Sequence, residues 1–250
     1  VLFRVRADKP LKSLRGTWLG HRVVFEFDSS AGVWLGLAGV ELGASAGTHP
    51  LKLEYVTANG ARSISLQNVP VSQASYASST LTVNDQFLKP DLATQQRIKL
   101  EREIKRQVFR RMTPNRLWKG SFLAPVDAIV TEPFGVRRIF NGKLRSTHQG
   151  LDFRAATGTP VKAMNSGEVI LARDMFYEGG LVVIDHGQGL LTLYLHLSEF
   201  KTKEGDRIRK GQIIGLSGAT GRVTAEHLHT AVRWQGAYLD PATLLTMKLP

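Results

Sequence analysis

The chain has 250 residues, 42% hydrophobic and 22% charged, which is ordinary composition for a folded protein with one large or two moderate cores. It contains no cysteine, so disulfides, thiolate metal sites and cysteine nucleophiles are excluded. Its formal charge is +12, and half of that excess lies in residues 97–116, where eight Lys/Arg face two Glu.

The chain opens on VLFRVRADKP without a secretory leader, which reads as a mature or trimmed chain. The apolar stretch AGVWLGLAGV is far short of the roughly 20 residues that cross a bilayer. In LKLEYV, Leu51, Leu53 and Tyr55 alternate with charged residues, and in ARSISLQ, Ile64 and Leu66 alternate with polar ones. Both read as half-buried strands. Asn59-Gly60 between them marks a hairpin turn. Short strands at this spacing predict an antiparallel β-sandwich, Ig-like, over residues 1–86. His21 and His49 fall in this part without neighbours of ligand type and read as surface or loop residues.

FLKP, residues 87–90, ends that unit. Residues 91–112 then predict a helix capped by Asp91, with Ile104, Val108 and Met112 as its apolar stripe. TPNRLWKG breaks it, which gives a helical linker over 87–118. A basic helix suits a polyanion such as nucleic acid or an anionic membrane. A charged face over an apolar stripe equally suits a packed, solvated helix, and no aromatic-plus-basic stacking motif favours nucleic acid. From residue 119 onward the pattern returns to strands, and the charge falls to 16 basic against 12 acidic residues.

Five of the seven histidines lie between 148 and 229. In STHQGLDFRAATGTP, His148 and Asp152 are four apart, a helical spacing, but Gly150 and the following Gly-Thr-Pro favour a turn feeding a short strand, Leu151–Arg154. In EHLHTAV, a strand points His227 and His229 to one side and Leu228 to the other. In GLLTLYLHLSEF, Leu191, Leu193, Leu195 and Leu197 form a core face. Thr192, Tyr194 and His196 take the opposite face, which then needs water or a cleft. His186, in VIDHGQG, sits at a turn and reads as structural. Two histidines and one carboxylate match the protein ligands of a catalytic zinc site, although scattered polar residues remain the competing reading. The helical His-Glu-x-x-His pattern is absent, so any such site is assembled from strands and loops.

FGVRRIFNGKLRSTHQGLDF, YLHLS, GQIIGLSGATG, HLH and LDPATLL, taken in order, resemble the LytM-type (M23-family, lysostaphin-like) zinc metallopeptidases, which cut peptide bonds in peptidoglycan. The resemblance covers residues 119–250. It implies an antiparallel β catalytic domain there, with one zinc per chain held by His148, Asp152 and His229 and with His196 and His227 catalytic. It also implies peptidoglycan as substrate and an extracytoplasmic location, where the basic helix would allow contact with an anionic envelope surface; no nucleic-acid partner is expected. The chain departs from the family at Ala225-Glu226, where a Gly-Pro is common, and at Thr230, where an aromatic is common; both bear on substrate preference. An alternative is a catalytically silent LytM-like module that activates a cell-wall amidase, and the intact ligand positions argue against it.

Overall fold

The computed structural model describes residues 1–82, 85–87, 89–140, 142 and 144–249; Leu88 of the expected 87–90 boundary, and Asn141 and Lys143 of the motif before His148, lie outside the described residues. The fold is mainly β and divides into two compact units, Val1–Ser75 and Tyr76–Pro250.

The first unit holds β1 (Leu2–Val5), β2 (Leu11–Trp18), β3 (His21–Asp28), β4 (Val33–Leu37), β5 (Gly47–Thr57) and β6 (Arg62–Val71), all antiparallel, in the order β1-β4-β3-β2-β5-β6. This is one hydrogen-bonded path rather than two separately paired sheets. β3 makes it continuous by pairing its first half with β2 and its second half with β4. Leu14, Trp18, Val23, Phe25, Leu35, Leu51 and Leu53 are buried. The Asn-Gly hairpin forms as expected, with Gly60 at φ +88°. Ile64 and Leu66 depart from expectation, being 62% and 64% exposed. The register explains why. Ile64 lies opposite Glu54 and Leu66 opposite Lys52, so both share the solvent face of β5, not the Leu51/Leu53 face.

The second unit begins earlier than the expected boundary at 86, because β7 (Ser78–Leu81) is parallel to β9 and belongs to this unit. Its helix α1 (Leu92–Val108) is capped by Asp91, whose side chain accepts from the Thr94 N–H. The strands that follow are β8 (Val130–Glu132), β9 (Arg137–Phe140), β10 (Leu144–Thr147), β11 (Leu151–Phe153), β12 (Pro160–Lys162), β13 (Gly167–Met175) and β14 (Gly179–Asp185). After them come β15 (Leu190–Leu197), β16 (Glu199–Phe200), β17 (Arg207–Ile208), β18 (Ile213–Leu216), β19 (Leu228–Trp234) and β20 (Ala237–Leu239), and the short helix α2 (Pro241–Thr246). The main sheet runs β17-β13-β14-β15-β19-β11-β8, with β20 paired to β19. Two small sheets, β10-β9-β7 and β12-β18-β16, flank it.

The expected linker helix is part of this unit's packing. Ile104, Val108 and Phe109 pack against Leu171, Leu181, Val183, Leu191 and Leu193 of the main sheet. Full burial of such side chains stabilises by about 1.5–3 kcal/mol each. The helix stops before Met112, which is 53% exposed. Much of its basic charge is matched within the unit: Arg97 pairs with Glu101 and Asp174, Lys105 with Glu178, and Arg111, just beyond it, with Glu168.

The other face of β15 is buried as well, contrary to the expected water-facing side. Thr192 and Tyr194 are fully enclosed, and their hydroxyls lie 3.0 Å apart. The Met164 N–H donates to the Tyr194 hydroxyl at 2.7 Å. His186 completes the chain, donating from Nδ1 to Ser166 O at 2.7 Å and placing Nε2 2.8 Å from Thr192 Oγ1. This satisfied network, not a cleft, is what the polar face serves.

Candidate active site

Three adjacent strands of the main sheet set out the site. In the register, Asp152 of β11 lies opposite His229 of β19, and His229 lies opposite Leu195 of β15. Residues directly opposite share a face, so Asp152 and His229 rise from the side that also carries Leu193 and Leu195. His148 enters from the end of β10, with its backbone N–H donating to Val136 O at 2.8 Å.

The ligand atoms converge closely. Asp152 Oδ1 is 2.7 Å from His229 Nδ1 and 3.1 Å from His148 Nε2, and the two ring nitrogens are 3.0 Å apart. Gly150 makes this approach possible: a Cβ there would lie 2.3 Å from Thr230 O and 2.4 Å from His229 Nε2. His148 Nδ1 donates to Pro133 O at 2.8 Å, which leaves Nε2 with its lone pair toward the cluster. Arg138 donates to Asp152 Oδ2 at 2.6 Å and also pairs with Glu132. Oδ1 therefore remains for the cluster. Burial raises the Asp152 carboxyl, but the His148 and His229 rings lower it by more, so it stays ionised. Burial, opposed by Asp152, depresses His229.

A zinc ion suits this donor set. Three short acceptor–acceptor distances are favourable only with a shared proton or a cation between them. The spacing is a few tenths of an ångström under the roughly 3.4 Å edge of a tetrahedron with bonds of about 2.0–2.1 Å. Arg138, Glu132 and the Pro133 carbonyl supply the outer partners that orient such ligands.

His196 and His227 stand beside the cluster, their rings 4.9 Å apart, with His196 6.1 Å from the His229 ring. Strict alternation would put His196 on the Thr192/Tyr194 face. The structure corrects this. The pairing of β14 with β15 slips between Gly180 and Val182, and His196 takes a left-handed φ of +65°. This bulge turns the ring into the same cleft as Leu193 and Leu195. The backbone is held by the His196 N–H donating to Glu178 O at 2.9 Å, and Nδ1 donates to Thr220 O at 2.8 Å. His227 Nδ1 likewise donates to Ala225 O at 2.8 Å, and its Nε2 lies 3.8 Å from Asp152 Oδ1. Both rings thus present Nε2 as an acceptor. Burial, reinforced by the neighbouring histidines, pushes His196 down to about 3.

All five expected residues line one cleft of about 500 Å³. His186 lies apart from it in its own hydrogen-bond chain, as expected of a structural histidine. The sequence reading missed Arg138, Glu132, Thr220 and Arg222. The adjacency of Arg137-Arg138 to the motif hinted at the first, and Thr220 lies within the GQIIGLSGATG stretch without a role assigned to it; nothing marked Glu132 or Arg222.

Residues 146–241 match Peptidase family M23. The chain is 44% identical over 108 residues to the peptidoglycan DD-endopeptidase ShyA of Vibrio cholerae, covering 42% of this chain and 25% of that protein. It is 38% identical over 128 residues to the DD-carboxypeptidase/endopeptidase Mpg of Neisseria meningitidis, covering 50% and 30%. The match thus spans only about a quarter to a third of these curated relatives. A crystal structure of a candidate peptidase M23 from Pseudomonas aeruginosa superposes with a TM-score of 0.73 at 29% identity, covering 98% of this chain and 92% of that one. The cluster and both flanking histidines fall inside the matched residues, and the second unit of this chain carries a peptidase family M23 domain.

Proposed function

We propose that this protein is a zinc-dependent endopeptidase that hydrolyses peptide bonds in the stem peptides or cross-bridges of peptidoglycan, outside the cytoplasm. The observation that carries this reading is the convergence of His148, Asp152 and His229 on one point, with His196 and His227 beside it in the same cleft. The names of the relatives supply the substrate class. His148, Asp152 and His229 would hold one zinc. Bound there, zinc supplies a Lewis acid and lowers the pKa of a coordinated water to about 7.

The chain's own residues do the rest. His227, its Nδ1 fixed on Ala225 O, offers Nε2 as a proton acceptor nearest the cluster and serves as the general base. His196, its Nδ1 held by Thr220 O, stands across from it with Nε2 unprotonated and serves as a second acceptor that orients the attacking water. Arg138 and the Pro133 carbonyl keep Asp152 and His148 in register. Residues 1–75, a compact unit of their own, act as an accessory β domain that restrains or targets the enzyme.

The test is digestion of purified peptidoglycan with and without a chelator, with the fragments identified by mass. Zinc-dependent release of peptides with new amino and carboxyl ends is expected. Tight zinc binding without any cleavage would instead favour a silent module.

A further inference from the structure

Four cations line the cleft; Arg154 and Arg222 make no ion pair among the described residues, and of these two only Arg222 is held over aromatic rings. Lys105 is paired with Glu178, and Arg138 with Glu132 and Asp152. The Arg222 guanidinium lies 4.9 Å from the ring centres of both Phe140 and Tyr177. Among the described residues it makes no ion pair with a carboxylate. Its backbone is fixed, with the Arg222 N–H donating to Tyr177 O at 2.9 Å. The loop that carries it is anchored at both ends by the reacting histidines: Thr220 O holds His196, and Gly218 bridges His227.

A guanidinium stacked on aromatic rings keeps only its in-plane edge of N–H donors for a partner, and that edge matches the two oxygens of a carboxylate. Burial, with Arg138 nearby, works against the charge at this position by more than Tyr177 and Glu178 favour it, so an incoming anion is rewarded. We infer that Arg222 is a specificity residue that receives a free carboxylate of the substrate peptide, so that the cleft selects acidic peptides. This rests on the peptidase reading, and it names a feature of the substrate that the zinc cluster leaves open. Amidation of that carboxylate removes the charge and one acceptor oxygen and is discriminated against.

The experiment uses the zinc-loaded full chain and three soluble cross-linked stem-peptide dimers. One has every carboxyl free, one has its terminal carboxyls amidated, and one has its side-chain carboxyls amidated. The wild type is expected to lose about 10- to 100-fold in kcat/KM on one amidated dimer, the usual worth of a charge-assisted hydrogen bond, and which dimer fails identifies the source of the carboxylate. In Arg222→Gln the ratio of free to amidated kcat/KM should collapse toward one, and Arg222→Lys should restore part of it. Zinc content is read alongside. Wild-type rates within about two-fold on all three dimers would overturn the inference while leaving the peptidase reading intact, whether or not Arg222→Gln folds. A preference undiminished in Arg222→Gln would overturn it too. Cleavage of none of the dimers by zinc-loaded wild type would sink both.

Discussion

His196 is the residue whose place in the site departs most from its place in the sequence. The period-two rule assumes an unbroken ladder, and one slipped pair moves a side chain to the opposite face. The His-x-x-x-Asp and His-x-His spacings were legible as motifs, and Asp152 and His229 stand directly opposite each other in the ladder; the bulge was not legible, since nothing in TLYLHLS announces a left-handed backbone. Asn tolerates that backbone, so His196→Asn should keep fold and zinc while turnover falls by roughly 10²–10⁴. His227→Ala should fall by a similar factor and also retain about one zinc per chain. Gly150→Ala should do the reverse, losing zinc first because its methyl group collides with the His229 ring; metal analysis after dialysis reads the difference. His186 makes a different prediction. Its pKa is lowered by burial to about 4, below the ordinary 6.5, so the unfolded chain takes up the proton first. The stability this represents is present above about pH 6.5, declines as pH falls and is lost below about 4, some 3 kcal/mol in all. Urea midpoints of His186→Gln should therefore depend less steeply on pH across that window than those of wild type.

Among the elements, α1 shows how charge can mislead. Eight basic residues in one stretch left a polyanion-binding helix and a packed helix both open, and packing is decided by Arg97, Lys105 and Arg111 finding partners far along the chain, at Asp174, Glu178 and Glu168, where no local pattern reveals them. The short, polar SSTL of β7 was hidden for a related reason, because its parallel pairing with β9 depends on a distant strand. β6 shows the converse: alternation identified the strand but not which face is buried, which the Lys52–Leu66 and Glu54–Ile64 register decides. A shortened chain beginning at Leu117 lacks β7 and α1 and uncovers the Leu181/Val183/Leu193 surface. It should be poorly soluble and largely inactive, whereas one beginning at Tyr76 should fold and bind zinc; thermal melts and zinc content compare them.

For the whole molecule, the division at Ser75/Tyr76 separates the candidate site and the M23-matched residues from the first unit. Relative to the chain from Tyr76, the full chain should cleave isolated peptidoglycan more slowly if the first unit restrains, and intact walls faster if it targets. Equal rates on both substrates would leave it as a partner-binding module. Within the second unit, Glu178 has a consequence for inactivation by heat. Its carbonyl holds the strained backbone of His196, and its side chain is held by Lys105 on the peripheral helix. A helix packed on only one side is the kind of segment that opens below the global transition. When α1 detaches, Glu178 is released and the left-handed turn at His196 is free to relax. Activity should therefore disappear on heating while the β-sheet signal is still intact, and Lys105→Gln should lower the temperature of inactivation more than that of unfolding.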